Sequence, residues 1–322
     1  MEKRDWSTAM RDPGKTDSPR TMFAVVAAMV AMIAVPAALT LHTVRVPAVV
    51  DVKEINPSPY GYTVSLLLFI VPIAAMLLWL FPRERVRVSR RAFAWTVGLL
   101  FPIGAGLDFF FAHLFFTFGN KGATLGIVAP ALGGGVPVEE YVFYFTGFVA
   151  DLLFYIWLDE YWLAAYSAPV EKRMDFQRLL RFHPWSAVLA VGLIAGAIAF
   201  RKLAIAEVGF PSYFIFLVVG AMAPSAALLP EAMPVINWRA FSLTLFLMLL
   251  ISLMWEATLG VPYGWWGFQP ERMLGISITA WDFLPVEEVF LWITVTYATV
   301  IVYEIVRRWR VSGRTMRGAL LG

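Results

Sequence analysis

The chain has no cysteine among its 322 residues, so neither a disulfide nor a thiolate-bound metal is available to it. Histidine is nearly absent: His42, His113 and His183 are scattered, and no metal site is expected. Charge is sparse as well. Asp, Glu, Lys and Arg make up 15% of the residues, against about a quarter in soluble domains, and the net charge is only +3. Neither G-x-G-x-x-G nor G-x-x-x-x-G-K-[ST] occurs, which argues against a dinucleotide or P-loop site. The glycines Gly133–Gly135 lack the spacing of such a motif and read as a flexible loop. No cofactor and no nucleic-acid partner are expected.

What the chain has in abundance is apolar surface: 60% of its residues are hydrophobic and its mean hydropathy is +0.70. Apolar runs of about 20 residues match a hydrocarbon core of about 30 Å at a rise of about 1.5 Å per residue. Eight such runs occur, at 21–41, 61–81, 92–117, 137–159, 184–203, 211–230, 241–260 and 285–306. Runs of this length satisfy their backbone in lipid as helices, so the expected fold is an all-α integral membrane protein. The first run follows a charged leader and is long for a signal peptide, so it reads as a retained helix. Lys and Arg alternate between loops, 20 on one side and 6 on the other. The positive-inside rule then places both termini in the cytoplasm of a multi-pass protein of the cell membrane.

The chain also repeats itself. P-V-E-E starts at Pro137 and again at Pro285, 148 residues later. At the same offset Arg91-Ala92-Phe93 matches Arg239-Ala240-Phe241, Pro82 matches Pro230, Asp108 matches Glu256 and Gly119 matches Gly267. Leu125-Gly126-Ile127 matches Leu274-Gly275-Ile276, one residue further along. The eight helices are therefore expected as two parallel tandem repeats of four, about a pseudo-two-fold axis along the membrane normal. The chain divides into a charged cytoplasmic leader (1–20), a first four-helix unit (21–163), a cytoplasmic linker (164–183), a second four-helix unit (184–310) and a basic tail (311–322).

Taken alone, P-V-E-E is an ordinary helix start, with proline in the first turn and carboxylates at the positive end of the helix dipole. Its recurrence, and the acid on the preceding helix in each copy, point further. A charge at the bilayer centre costs about 2.5–3.5 kcal/mol on insertion scales, so Asp108, deep in its helix, should face a cavity or a partner. Asp108, Glu139, Glu140, Glu256, Glu287 and Glu288 are expected to converge in the outer half of the bundle. Crowded, desolvated carboxyls hold protons at neutral pH, as a general acid must. Asp151 either assists this set or hydrogen-bonds a neighbouring helix, and His113 reads as structural. The loop "GVPYGWWGFQPERMLGI" (Gly260 to Ile276) is either an interfacial aromatic belt or a set of ring faces for a cation, with Trp255, Trp265 and Trp266 the candidates.

Two stretches, "WEATLGVPYGWWGFQPERMLGI" (Trp255 to Ile276) and "LPVEEVFLWITVTYATVIVYE" (Leu284 to Glu304), resemble the second domain of the membrane-integral lycopene cyclases. "PVEEYVFYF" and the "LDFFF" around Asp108 resemble the first domain, although "FTFGNKGATLGIVAP" stands where that family has a Trp-rich loop. The resemblance implies a cofactor-independent isomerase (an intramolecular lyase) of carotenoid biosynthesis. An acid would protonate the ψ-end of lycopene or a related linear carotenoid, the neighbouring alkene would close a β-type ring, and a base would remove a proton. It implies Glu139 or Glu287 as acid, with Glu140, Glu288, Asp108 and Glu256 tuning it or acting as base. Trp255, Trp265, Trp266 and Phe143 would line the substrate. The expected partners are a carotenoid drawn from the bilayer, membrane lipids and neighbouring carotenoid enzymes. The alternatives are a carotenoid hydratase and a non-enzymatic carotenoid-binding protein or proton-coupled transporter. A transporter is expected to carry broken helices, with Pro224 the candidate break.

Overall fold

A computed structural model of the chain describes residues 58–80, 90–205 and 209–322, together with Ala27 and Ala31, both helical. The expected leader (1–20) and, those two alanines apart, the first apolar run (21–41) lie outside the described residues. Among the described residues seven helices are long and apolar enough to cross a membrane. They are α1 (Gly61–Leu80), α2 (Arg90–Phe115), α3 (Val138–Trp157), α4 (Pro184–Phe200), α5 (Ser212–Ala232), α6 (Trp238–Trp255) and α7 (Val286–Ser312). Apolar side chains such as Leu68, Ile103 and Leu203 lie exposed on the outside of the bundle. A hydrocarbon surround accounts for that, and the chain is a multi-pass membrane protein.

The seven helices agree with the expected runs to within a few residues, except that α7 continues to Ser312, six residues past its expected end. The charged residues there are not solvated. Arg307 and Arg308 turn inward against Asp159, Glu160 and Glu231, so the charges extend the helix. Pro224 does not break α5, which runs as one helix through both Pro224 and Pro230. Pro230 has no N–H, which leaves the Ala226 carbonyl without its helical donor; the His183 amide supplies one at 2.8 Å.

Packing follows a pattern in pairs. α3 packs on α1, α2 and α6, and α7 packs on α5, α6 and α2. The central contact is between α3 and α7, the helices that carry the two P-V-E-E motifs. Midway along that seam the Thr296 hydroxyl donates to Asp151 Oδ1 at 2.8 Å, with both residues fully buried. This is the helix-to-helix alternative for Asp151. Thr296→Val leaves that carboxyl oxygen without a donor and is expected to destabilise the bundle by about 1–3 kcal/mol, read from thermal unfolding in detergent.

The loops joining α2 to α3 and α6 to α7 carry short antiparallel pairs. β1 (Phe116–Thr117) pairs with β4 (Gly267–Phe268), which fastens one loop to the other. β2 (Val128–Ala131) pairs with β3 (Gly134–Pro137), and β5 (Ser277–Ile278) with β6 (Leu284–Pro285). The expectation of a flexible loop at Gly133–Gly135 is therefore corrected. Gly134 and Gly135 belong to β3, and Val128 lies so close to Gly135 that no Cβ fits there. His113 braces the hairpin through a 3.2 Å contact between Nε2 and the Gly135 carbonyl, a structural role as expected.

Candidate functional site

The two P-V-E-E helices start alike. Pro137 and Pro285 each stand just before the helix, and the first helical amides, of Val138 and Val286, donate to Ile127 and Ile276, each at 3.0 Å. The first glutamate of each motif then fastens the loop in front of it. Glu139 Oε1 accepts from the Leu125 amide at 2.7 Å and from the Thr63 hydroxyl at 2.6 Å. Glu287 Oε1 accepts from the Leu274 amide. Leu125 and Leu274 open the two Leu-Gly-Ile triplets, whose glycines sit at φ 75° and 92°, a region that favours glycine. Glu139 and Glu287 are thus committed to backbone donors, and neither lines the cavity described next.

One residue on is about 100° round the helix. Glu140 and Glu288 therefore face the bundle interior, where with Glu256 they line a cavity of about 20 Å³ between α3, α7 and the loops. Tyr62, Phe143, Tyr144 and Leu291 form its walls, and Phe116, Phe118 and Trp266 close it on the loop side. That volume suits about one water molecule. A bulkier guest requires the lining aromatics to turn aside.

Glu256 accepts from Trp292 Nε1 at 2.7 Å and lies against Glu288. Asp108 is fully buried beside Glu140 and Tyr144, outside the cavity lining, and neither of its oxygens has a hydrogen-bond partner in the protein. Among the described residues no Lys or Arg forms an ion pair with Asp108, Glu140, Glu256 or Glu288. Carboxyls buried together without a cation are accommodated by sharing protons.

Asp108 and Glu256, which share the offset of 148, stand in different backbone settings. Asp108 sits in regular α-helix, whereas Glu256 opens a π-turn over Glu256–Gly260. The Trp266 ring lies over Gly260 where a Cβ would stand, so the glycine admits the indole to the cavity wall. Trp255 stacks on Phe143 with ring centroids 5.4 Å apart and leans on Trp266 at 4.9 Å, behind the cavity rather than in its lining. Trp265 lies further out, stacked on Tyr62 at 5.8 Å with its Nε1 donating to Ser58 at 2.9 Å. Of the four aromatics expected to touch substrate, Phe143 and Trp266 line the cavity and the other two support it.

Tyr62, Tyr144 and Tyr213 stand around the carboxyls without having been marked by the motifs. Tyr144 and Trp292 occupy corresponding places 148 residues apart, each beside the acid of its preceding helix. That correspondence was open to the offset that found P-V-E-E, but unlike residue types hid it. The chain matches no protein-family model, no curated protein and no solved structure.

Proposed function

We propose that this protein is a membrane-embedded carotenoid cyclase, an isomerase that closes a β-type ring at the ψ-end of lycopene or a related linear carotenoid by acid–base chemistry alone. The observation that carries the reading is the meeting of Glu140, Glu256 and Glu288 with Phe143, Tyr144 and Trp266 at one cavity inside an apolar bundle. A carboxyl O–H of Glu140 or Glu288 adds its proton to the terminal alkene. The neighbouring alkene closes the ring on the resulting cation, and a carboxylate of the same set removes a proton to restore a double bond. The donor regains the proton that the base removed, so no redox partner is needed. Phe143, Tyr144 and Trp266 line the cavity where ring faces stabilise the cation, and the apolar bundle around it keeps bulk water from trapping the cation.

The resemblance of the P-V-E-E and Trp-rich stretches to the membrane-integral lycopene cyclases supports the same reading. So does the paired packing, in which α3 packs on α1 and α2 and across on α6, as α7 packs on α5 and α6 and across on α2. On this reading the chain is two parallel repeats of four membrane helices, with the run 21–41 as the eighth helix. Both termini lie in the cytoplasm of the cell membrane and the carboxyls sit in the outer half.

Expression in a bacterium that accumulates lycopene tests the proposal. The expected pigment has unchanged mass, shifted retention and a ring-type absorption spectrum. Unaltered lycopene beside folded protein would sink the proposal. The water-sized cavity favours one second reading, a hydratase in which water attacks the cation; its product is heavier by one water molecule.

A further inference from the structure

Tyr62 is the second residue of α1 and Tyr213 the second residue of α5. Both are buried, at 1% and 0% exposure. α1 packs on α3 as α5 packs on α7, and each tyrosine lies against the second glutamate of a P-V-E-E motif, Tyr62 beside Glu140 and Tyr213 beside Glu288. Oε1 of both glutamates is sealed from solvent, and each tyrosine hydroxyl lies within hydrogen-bonding reach of its glutamate's carboxyl. Packing does not explain a phenol at these two places. Phenylalanine would fill the same space without burying a hydroxyl, which is costly when unpaired.

We infer that Tyr62 and Tyr213 are paired positioning residues, each donating its O–H to the neighbouring glutamate and holding that carboxyl turned toward the cavity. The inference rests on the acid–base reading only for its effect on turnover; the orientation of the two carboxyls belongs to the resting protein. A fixed carboxyl spares the reaction a rotamer search, so loss of the donor should act on kcat more than on KM.

Infrared difference spectroscopy on purified full-length protein tests this. Glu140→Gln and Glu288→Gln identify the carbonyl stretch of each protonated carboxyl. Tyr62→Phe is expected to shift the Glu140 band and leave that of Glu288, and Tyr213→Phe to do the reverse. Both variants keep the ring and are expected to fold, with a modest drop in unfolding temperature from the lost donor. With a linear carotenoid as substrate each is expected to lower kcat about tenfold with KM nearly unchanged. Bands that stay in place in both variants overturn the inference. So does a shift with only one tyrosine, or a wild-type spectrum without a band that the Gln variants remove. Shifted bands in a protein that never converts a carotenoid uphold the positioning role and reject the cyclase reading instead.

Discussion

Glu288→Gln is expected to lower turnover of a linear carotenoid by about 10²- to 10⁴-fold, the usual contribution of a positioned general acid or base. Gln keeps the shape of the side chain and removes the transferable proton. Glu288 lines the cavity and lies against Glu256, whereas Glu287 does not reach the cavity. Glu140→Gln, on the opposite wall, should fall in the same range. Glu287→Gln supplies the contrast. Its Oε1 accepts from the Leu274 amide, a bond that the amide oxygen of Gln can still accept, so turnover within a few-fold of wild type is expected. Pigment formation against time in membranes with matched protein levels decides the matter. Wild-type rates in both Glu140→Gln and Glu288→Gln would remove the cavity carboxyls from the chemistry.

Arg173→Met is expected to have the largest effect on stability, a loss of about 3–5 kcal/mol, because it leaves three inward-facing carboxylates, Asp159, Glu160 and Glu304, to the single cation Arg307. Arg173, 2% exposed, forms an ion pair with the fully buried Glu304 and lies 3.7 Å from the fully buried Asp159. Arg307 reaches Asp159 at 2.9 Å and Glu160 at 3.0 Å, and the Tyr155 hydroxyl donates to Glu304 at 2.9 Å. Asn237 Nδ2 donates to Asp159 at 3.0 Å, which brings the start of α6 into the same cluster. The network ties α3, α6, α7 and the short helix Val170–Met174 together at the end of the bundle away from the P-V-E-E motifs. Arg181→Met is the control. Its pair with Glu231 spans 3.7 Å with the arginine 63% exposed, and such a pair contributes about 0–1 kcal/mol. Thermal unfolding of both variants in detergent separates the two cases. Equal melting temperatures would show that the buried network contributes nothing beyond the exposed pair.

The sequence by itself determined the membrane class, the presence of seven helices and the limits of all but α7 to within a few residues, and the two carboxylate motifs at matching helix starts. Each of these depends on local composition or on a repeat at one offset, both of which survive in a linear string. Only the tertiary structure decided which glutamate of each pair faces the cavity. The letters of P-V-E-E are identical in both copies, and helix phase together with the Leu125 and Leu274 amides separates Glu139 from Glu140 and Glu287 from Glu288. It also decided the partners. Tyr62 and Tyr213 stand 151 residues apart, so the offset of 148 places Phe210 opposite Tyr62 and hides their correspondence. Glu304 and Arg307 lie at the end of the last apolar run, yet they turn inward against Asp159, just past the end of α3, and Arg173 in the linker. A buried charge has the same letter as a solvated one, and only the packing of distant helices tells them apart.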